Sequence, residues 1–175
     1  MLAQNPELFA QKSIFISPVA EKVGTITDSR WIGYALGALQ YGVGMRTGSF
    51  GDKLVRSKFL TRIATATITT ASDATLKETI HGHHFDNLNY ISSIRYYSEL
   101  HKDINLQGVS DLTESLRDFT IRIIAGEKDN VTPLKREERL ANELGAELIT
   151  IPGVGHLTHY ETPDAVASAI VDFLQ

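Results

Sequence analysis

The sequence predicts an α/β protein, an incomplete doubly wound parallel sheet of about three strands carrying an inserted all-α region. Three observations predict this. First, three short apolar runs read as buried strands: SIFIS (Ser13 to Ser17), IRIIAG (Ile121 to Gly126) and ELITIP (Glu147 to Pro152). A strand covered on both faces is apolar throughout rather than alternating, which is the habit of parallel sheets. Second, amphipathic helical patterns follow the second and third runs, so strand and helix alternate as in doubly wound folds. Third, about a hundred residues of helical character separate the first run from the second.

In chain order, Met1 to Gln4 reads as the last turn of a helix, stopped at Asn5-Pro6. A chain that begins there leads us to expect that a preceding segment has been lost. The strand SIFIS follows, bounded by Pro18. Within the inserted region, Asp28 to Met45 carries Trp31, Ala35 and Leu39 at helical spacing, and Asp52 to Thr69 repeats the pattern with Val55, Phe59, Ile63 and Ala66. Ser72 or Asp73 is placed to cap a third helix holding Leu76 and Ile80, and Asn87 to Leu100 continues with Tyr90, Ile94 and Tyr97. After the second strand, Thr132 is a good N-cap with Pro133 opening a helix that Gly145 ends. After the third, Thr162 and Pro163 open a helix with Val166, Ile170 and Phe173 on one face. The expected divisions are a core segment over 1–19, the helical insertion over 20–108, and the rest of the core over 109–175.

Composition excludes several function classes. A formal net charge of −4 leaves no basic footprint for nucleic acid. No apolar stretch is long enough to span a membrane, and Met1 to Phe9 carries Glu7 and no basic n-region of a signal peptide. The 175 residues contain no cysteine, which excludes disulfides, thiolate ligands and a cysteine nucleophile within this chain and suits a reducing cytoplasm.

Two residues stand where chemistry is expected. Asp129 lies just past the C-terminal end of the second strand, the edge at which open α/β sheets hold their ligands. His156 lies in the glycine-bearing loop after the third strand, at the same edge. A carboxylate accepting a hydrogen bond from one imidazole nitrogen fixes the tautomer and leaves the other nitrogen free to take a proton. Alone, Asp129 also reads as a turn aspartate serving the backbone before Pro133, and His156 as a satisfied loop histidine.

The runs IIAGEKDNVTP and IPGVGHLTHYETPDAVASAIVDFL resemble the C-terminal end of an α/β-hydrolase, and NPELFAQKSIFISP resembles that family's segment just after the nucleophile helix. The family's chain order is nucleophile, acid, histidine. The resemblance implies that Asp129 is the acid and His156 the base, and that the insertion is a cap, or lid. It implies an ester- or related-bond hydrolase acting on a small molecule, with no cofactor and no metal. The family's G-x-S-x-G nucleophile elbow occurs nowhere in the chain. On this alignment the elbow would fall roughly 10 to 15 residues before Met1, so the chain is expected to be inactive alone. The nearest imitation, TGSFG with Ser49, has Thr47 in place of the first glycine and no strand before it, and reads as a loop between helices.

Other motifs invite weaker readings. HGHHFD (His81, His83, His84, Asp86) has ligand-type side chains, but beside a glycine at an expected helix end it reads as a polar loop. Tyr90, Tyr96 and Tyr97, with Trp31, Tyr34 and Phe59, offer hydroxyls or apolar lining to a cavity, or packing alone. His159 reads as a surface residue, and Glu161 as favouring the N-terminus of the last helix through its dipole. Without the strand that would precede it, SIFIS has an open apolar edge, so a homodimer or another association through that edge is expected. A second functional class stays open: a non-catalytic module in which the helices bind a small ligand or a partner.

Overall fold

The structure, a computed structural model, describes residues 11–22, 42, 46–90, 99 and 108–175. The expected opening helical turn, the helix over Asp28 to Met45 apart from Gly42, and Tyr96 and Tyr97 lie outside the described residues. The chain divides into two compact units. One comprises Met1–Glu21, Ile68–Thr70 and Gly108–Gln175, and the other Lys22–Thr67 and Ala71–Gln107.

The first unit is built on three parallel strands in the order β1 (Lys12–Ile16), β2 (Thr120–Gly126), β3 (Glu147–Ile151). Phe15 is level with Ile123, and Ile123 with Leu148. Because side chains alternate across a strand, this register sorts the apolar residues onto two faces. Ile121, Ile123 and Phe15 pack on one face with Leu140, Ala141 and Leu116, the last from the short helix α4 (Thr113–Leu116). Ile124, Ile14 and Ile16 pack with Ile151, Val154 and Val166 on the other. Ile123 and Ile124 are fully buried, and burying each contributes roughly 1.5–3 kcal/mol. Helix α5 (Leu134–Leu144) supplies the first face with Leu140 and Ala141, and α7 (Pro163–Leu174) supplies the second with Val166 and Ala169.

The helix ends are only partly as expected. Gly145 ends α5 in the left-handed conformation (φ 63°), which glycine adopts at no steric cost. Thr132 does not cap that helix: Pro133 takes the N-cap position, and the Thr132 hydroxyl is donated to Asp129 instead. Thr162 precedes α7 as expected, but its hydroxyl donates back to the Thr158 carbonyl at 3.1 Å.

The elements described in the inserted region are helices: α1 (Ser49–Val55), α2 (Lys58–Ile68) and α3 (Ala74–Tyr90). Asp73 caps α3, its carboxylate accepting from the Leu76 amide at 2.7 Å. The expected buried stripe of α2 is not the observed one. Phe59 and Ile63 are exposed while Thr61 and Thr65 are buried. Each threonine donates its hydroxyl to the carbonyl four residues back (Ser57 at 3.0 Å, Thr61 at 2.6 Å), so its polar group is satisfied inside the helix and the methyl can be buried. The HGHHFD motif is likewise no loop: His81, His83, His84 and Asp86 lie within the continuous helix α3.

Candidate active site

Strand β2 ends at Gly126 against the loop that follows β3. A Cβ on Gly126 would stand 2.3 Å from the Gly155 carbonyl oxygen and 2.5 Å from that of Val154, so only glycine admits so close an approach. The Lys128 amide donates to the Val154 carbonyl at 2.8 Å, and the Gly153 amide to the Glu127 carboxylate at 2.8 Å. Two loops of adjacent parallel strands are thereby fastened together at the C-terminal edge of the sheet.

Asp129 and His156 meet across that junction, with His156 Nδ1 2.9 Å from Asp129 Oδ2. The aspartate is simultaneously the turn residue its local sequence suggests. Its Oδ1 accepts from the Val131 and Thr132 amides, each at 2.8 Å, and its Oδ2 also accepts the Thr132 hydroxyl at 2.7 Å. One oxygen builds the turn and the other receives the imidazole. Burial alone would push the Asp129 carboxyl up, but the hydrogen bond and charge of His156 and the donors of Thr132 outweigh it and hold it below the ordinary carboxylate range. An ionised Asp129 favours the tautomer that carries its proton on Nδ1, and the partly exposed ring has no partner at Nε2 among the described residues.

Residues after the histidine hold its loop in place. Thr158, fully buried, donates to the Gly155 carbonyl at 3.0 Å and shares a 3.1 Å hydrogen bond with the Ser17 hydroxyl. Ser17 directly follows β1 with φ 46°, so its contact with Thr158 brings the C-terminal end of β1 to the same edge. His159 is exposed, as expected. Glu161, the last residue of α6 (Thr158–Glu161), differs from expectation. Its carboxylate accepts from Thr69 and Thr70.

Glu137 was hidden among the charged residues of α5. It is fully buried, and its two oxygens have no hydrogen-bond partner among the described residues. Burial pushes its carboxyl up to about 8, and the Asp129 charge adds to this. The Thr132 hydroxyl opposes the shift only weakly, being donated to Asp129. The sequence did hold a signal: Glu137 stands three and four positions before Leu140 and Ala141, on the stripe α5 turns inward.

Ser49 is an exposed first residue of α1, preceded by Gly48, and not a strand-to-helix turn. Among the described residues no group of three or more histidines and carboxylates is placed to hold a metal ion, and no helix is long and apolar enough to cross a membrane. Phe59 and Tyr90 are exposed.

A family model described as "TAP-like protein" matches residues 103–175. Among solved structures, the chain is similar to the enol-lactonase from Burkholderia xenovorans LB400 (16% identity, TM-score 0.70), 99% of this chain aligning with 59% of that one. It is similar to an alpha/beta hydrolase enzyme from a Medee basin deep-sea metagenome library (20%, TM-score 0.70), 98% aligning with 58%. It is also similar to a thermophilic esterase from Thermogutta terrifontis (16%, TM-score 0.67), 94% aligning with 55%. No curated protein sequence matches the chain. At these identities the likeness shows the fold alone, and the chain spans under two thirds of the length of each structure.

Proposed function

We propose, proceeding from the α/β-hydrolase fold that this chain carries, that it supplies the acid and the base of a hydrolase acting on an ester or related bond of a small molecule. The observation that carries the reading is the 2.9 Å contact between His156 Nδ1 and a buried Asp129 on loops of adjacent parallel strands. In this reading His156 Nε2 takes the proton of an attacking nucleophile and later activates water, while Asp129 fixes the ring and stabilises the imidazolium. The nucleophile is not among these 175 residues as G-x-S-x-G. The Ser17 hydroxyl, the serine at the same sheet edge, is engaged by Thr158. In this reading the nucleophile comes from a segment outside this sequence that pairs along the outer edge of β1, and the chain alone is inactive. The inserted helices act as the cap, and the protein works in the cytoplasm without cofactor or metal.

Hydrolysis of short p-nitrophenyl esters by the purified chain, with His156→Ala as control, tests this. No turnover above the control is expected. Turnover lost on His156→Ala would refute the inactivity and leave a nucleophile to be found within the chain. The coding DNA upstream of Met1 separates the remaining alternatives. A G-x-S-x-G run there supports the hydrolase reading, and its absence favours a non-catalytic module that binds a small ligand or partner. A stable monomer with a protected β1 in solution would count against pairing at that edge.

A further inference from the structure

The loop bearing His156 is fastened on two sides. On one side it is joined to the Asp129 loop through Gly153 and Val154. On the other it meets Ile68–Thr70, the last residue of α2 and the two that follow it, which belong to the core unit. The His156 amide donates to the Ile68 carbonyl at 3.1 Å. Glu161 closes this side. Its Oε1 accepts from the Thr69 hydroxyl and the Thr70 amide, each at 3.0 Å, and its Oε2 from the Thr70 hydroxyl at 2.5 Å. That hydroxyl is also 3.2 Å from the Gly153 carbonyl.

The packing is close. A Cβ on Gly155, the residue before His156, would stand 3.0 Å from Thr70 Cγ2, 3.1 Å from Glu161 Oε1 and 3.2 Å from the Ile68 carbonyl. The half-buried carboxylate thus gathers three donors from one short segment, and charge-assisted hydrogen bonds of this kind are stronger than neutral ones.

We propose that Glu161 is a positioning residue for His156: by clasping Thr69 and Thr70 it holds the Ile68–Thr70 segment against the His156 loop and so sets the imidazole's hydrogen bond to Asp129. The placing of the base is thereby coupled to a segment that leads directly into two helices of the insertion. Displacing the segment displaces the base. This rests on the acid–base reading above, and its test reads the imidazole rather than turnover.

Proton and nitrogen NMR of the whole chain provides that reading, with the His156 Nδ1–H resonance assigned by its loss in His156→Gln. Glu161→Ala is expected to raise the exchange rate of the Thr70 amide at least about tenfold. It should also broaden or abolish the His156 Nδ1–H signal, leaving the ring a mixture of tautomers. Should Glu161→Ala not fold, the double variant Thr69→Ala, Thr70→Val removes the hydroxyl donors and leaves Glu161 in place, with the same loss expected in weaker form. Thr70→Ser keeps both Thr70 donors and should retain the signal. A released Thr70 amide beside an unchanged Nδ1–H signal overturns the clasp while sparing the acid–base pair, and so does a Thr70 amide no faster in Glu161→Ala. A wild-type chain with no Nδ1–H signal shared with Asp129 sinks the pair and this inference with it.

Discussion

His156 and His81 are the same residue type in the two compact units, and their surroundings have opposite sign. His156 follows β3 and meets Asp129 at 2.9 Å. His81 sits within α3, its Nδ1 buried without a hydrogen-bond partner among the described residues, and the charges near it are those of Arg62 and Lys77. Burial first, and then those two cations, hold the His81 imidazole below its ordinary titration range. An imidazole beside a carboxylate can gather a proton, whereas one beside two cations resists a proton and a metal ion alike. The lesson is about support. The two loops of the first unit are fixed by a sheet and by one another, so a charge can be set against a ring, whereas the ligand-type residues of HGHHFD lie along one helix and form no metal-type group among the described residues.

The most severe way to break the contrast is to remove the carboxylate. Asp129→Ala orphans the Val131 and Thr132 amides, the Thr132 hydroxyl and the imidazole at one stroke. We expect a loss of roughly 3–5 kcal/mol in urea denaturation, since buried donors keep their desolvation cost when the acceptor is gone. Asp129→Asn should cost less, because a carbonyl oxygen can still serve the turn while its NH2 faces Nδ1 and reverses the tautomer. A cost under about 1 kcal/mol for the alanine variant would show that the donors find other partners and that the turn does not depend on the charge.

Glu137 sharpens the contrast from behind, as a second carboxyl close enough to Asp129 to feel its charge. In the unfolded chain it titrates near 4.5, and in the folded protein at about 8. Between those values the folded state keeps a proton that the unfolded state has lost, so raising the pH favours unfolding. Its contribution to stability is complete below pH 4.5, falls as pH rises, and is gone above about 8. Glu137→Gln cannot ionise and should match the wild type at pH 4 yet exceed it by on the order of 3 kcal/mol at pH 8.5. Urea unfolding at the two pH values checks this, and parallel curves for the two proteins would show that Glu137 is solvated.

The same contrast tells what the sequence could reveal. The strands, the Gly145 helix end and the pairing of Asp129 with His156 were legible, because each follows from local pattern and from the rule that parallel strands present their C-terminal ends together. The role of Glu161 was not, because its partners Thr69 and Thr70 lie about ninety residues away and belong by local pattern to a helix and its exit. The α2 stripe was misread because threonine counts as polar in a hydrophobic periodicity, although a hydroxyl donated to its own helix makes it a buried residue. Asp129 itself was read as either a turn residue or a partner of histidine, and a carboxylate has oxygens enough for both.

The smallest effect belongs to His81. With its folded-state titration depressed, the folded protein binds the proton less readily than the unfolded chain, so this group's contribution is present above the ordinary histidine range and is lost as pH falls. Imidazole proton NMR should show His81 titrating below a free histidine, and Arg62→Gln should move its midpoint partway back, with Lys77→Gln doing less because its influence ranks third after burial and Arg62. Neither change should reach the Asp129–His156 pair, whose hydrogen bonds involve neither cation. A His81 midpoint at or above that of a free histidine would remove the difference in sign between the two units, and the gap between a histidine set against a carboxylate and one that is not would then have to rest on support alone.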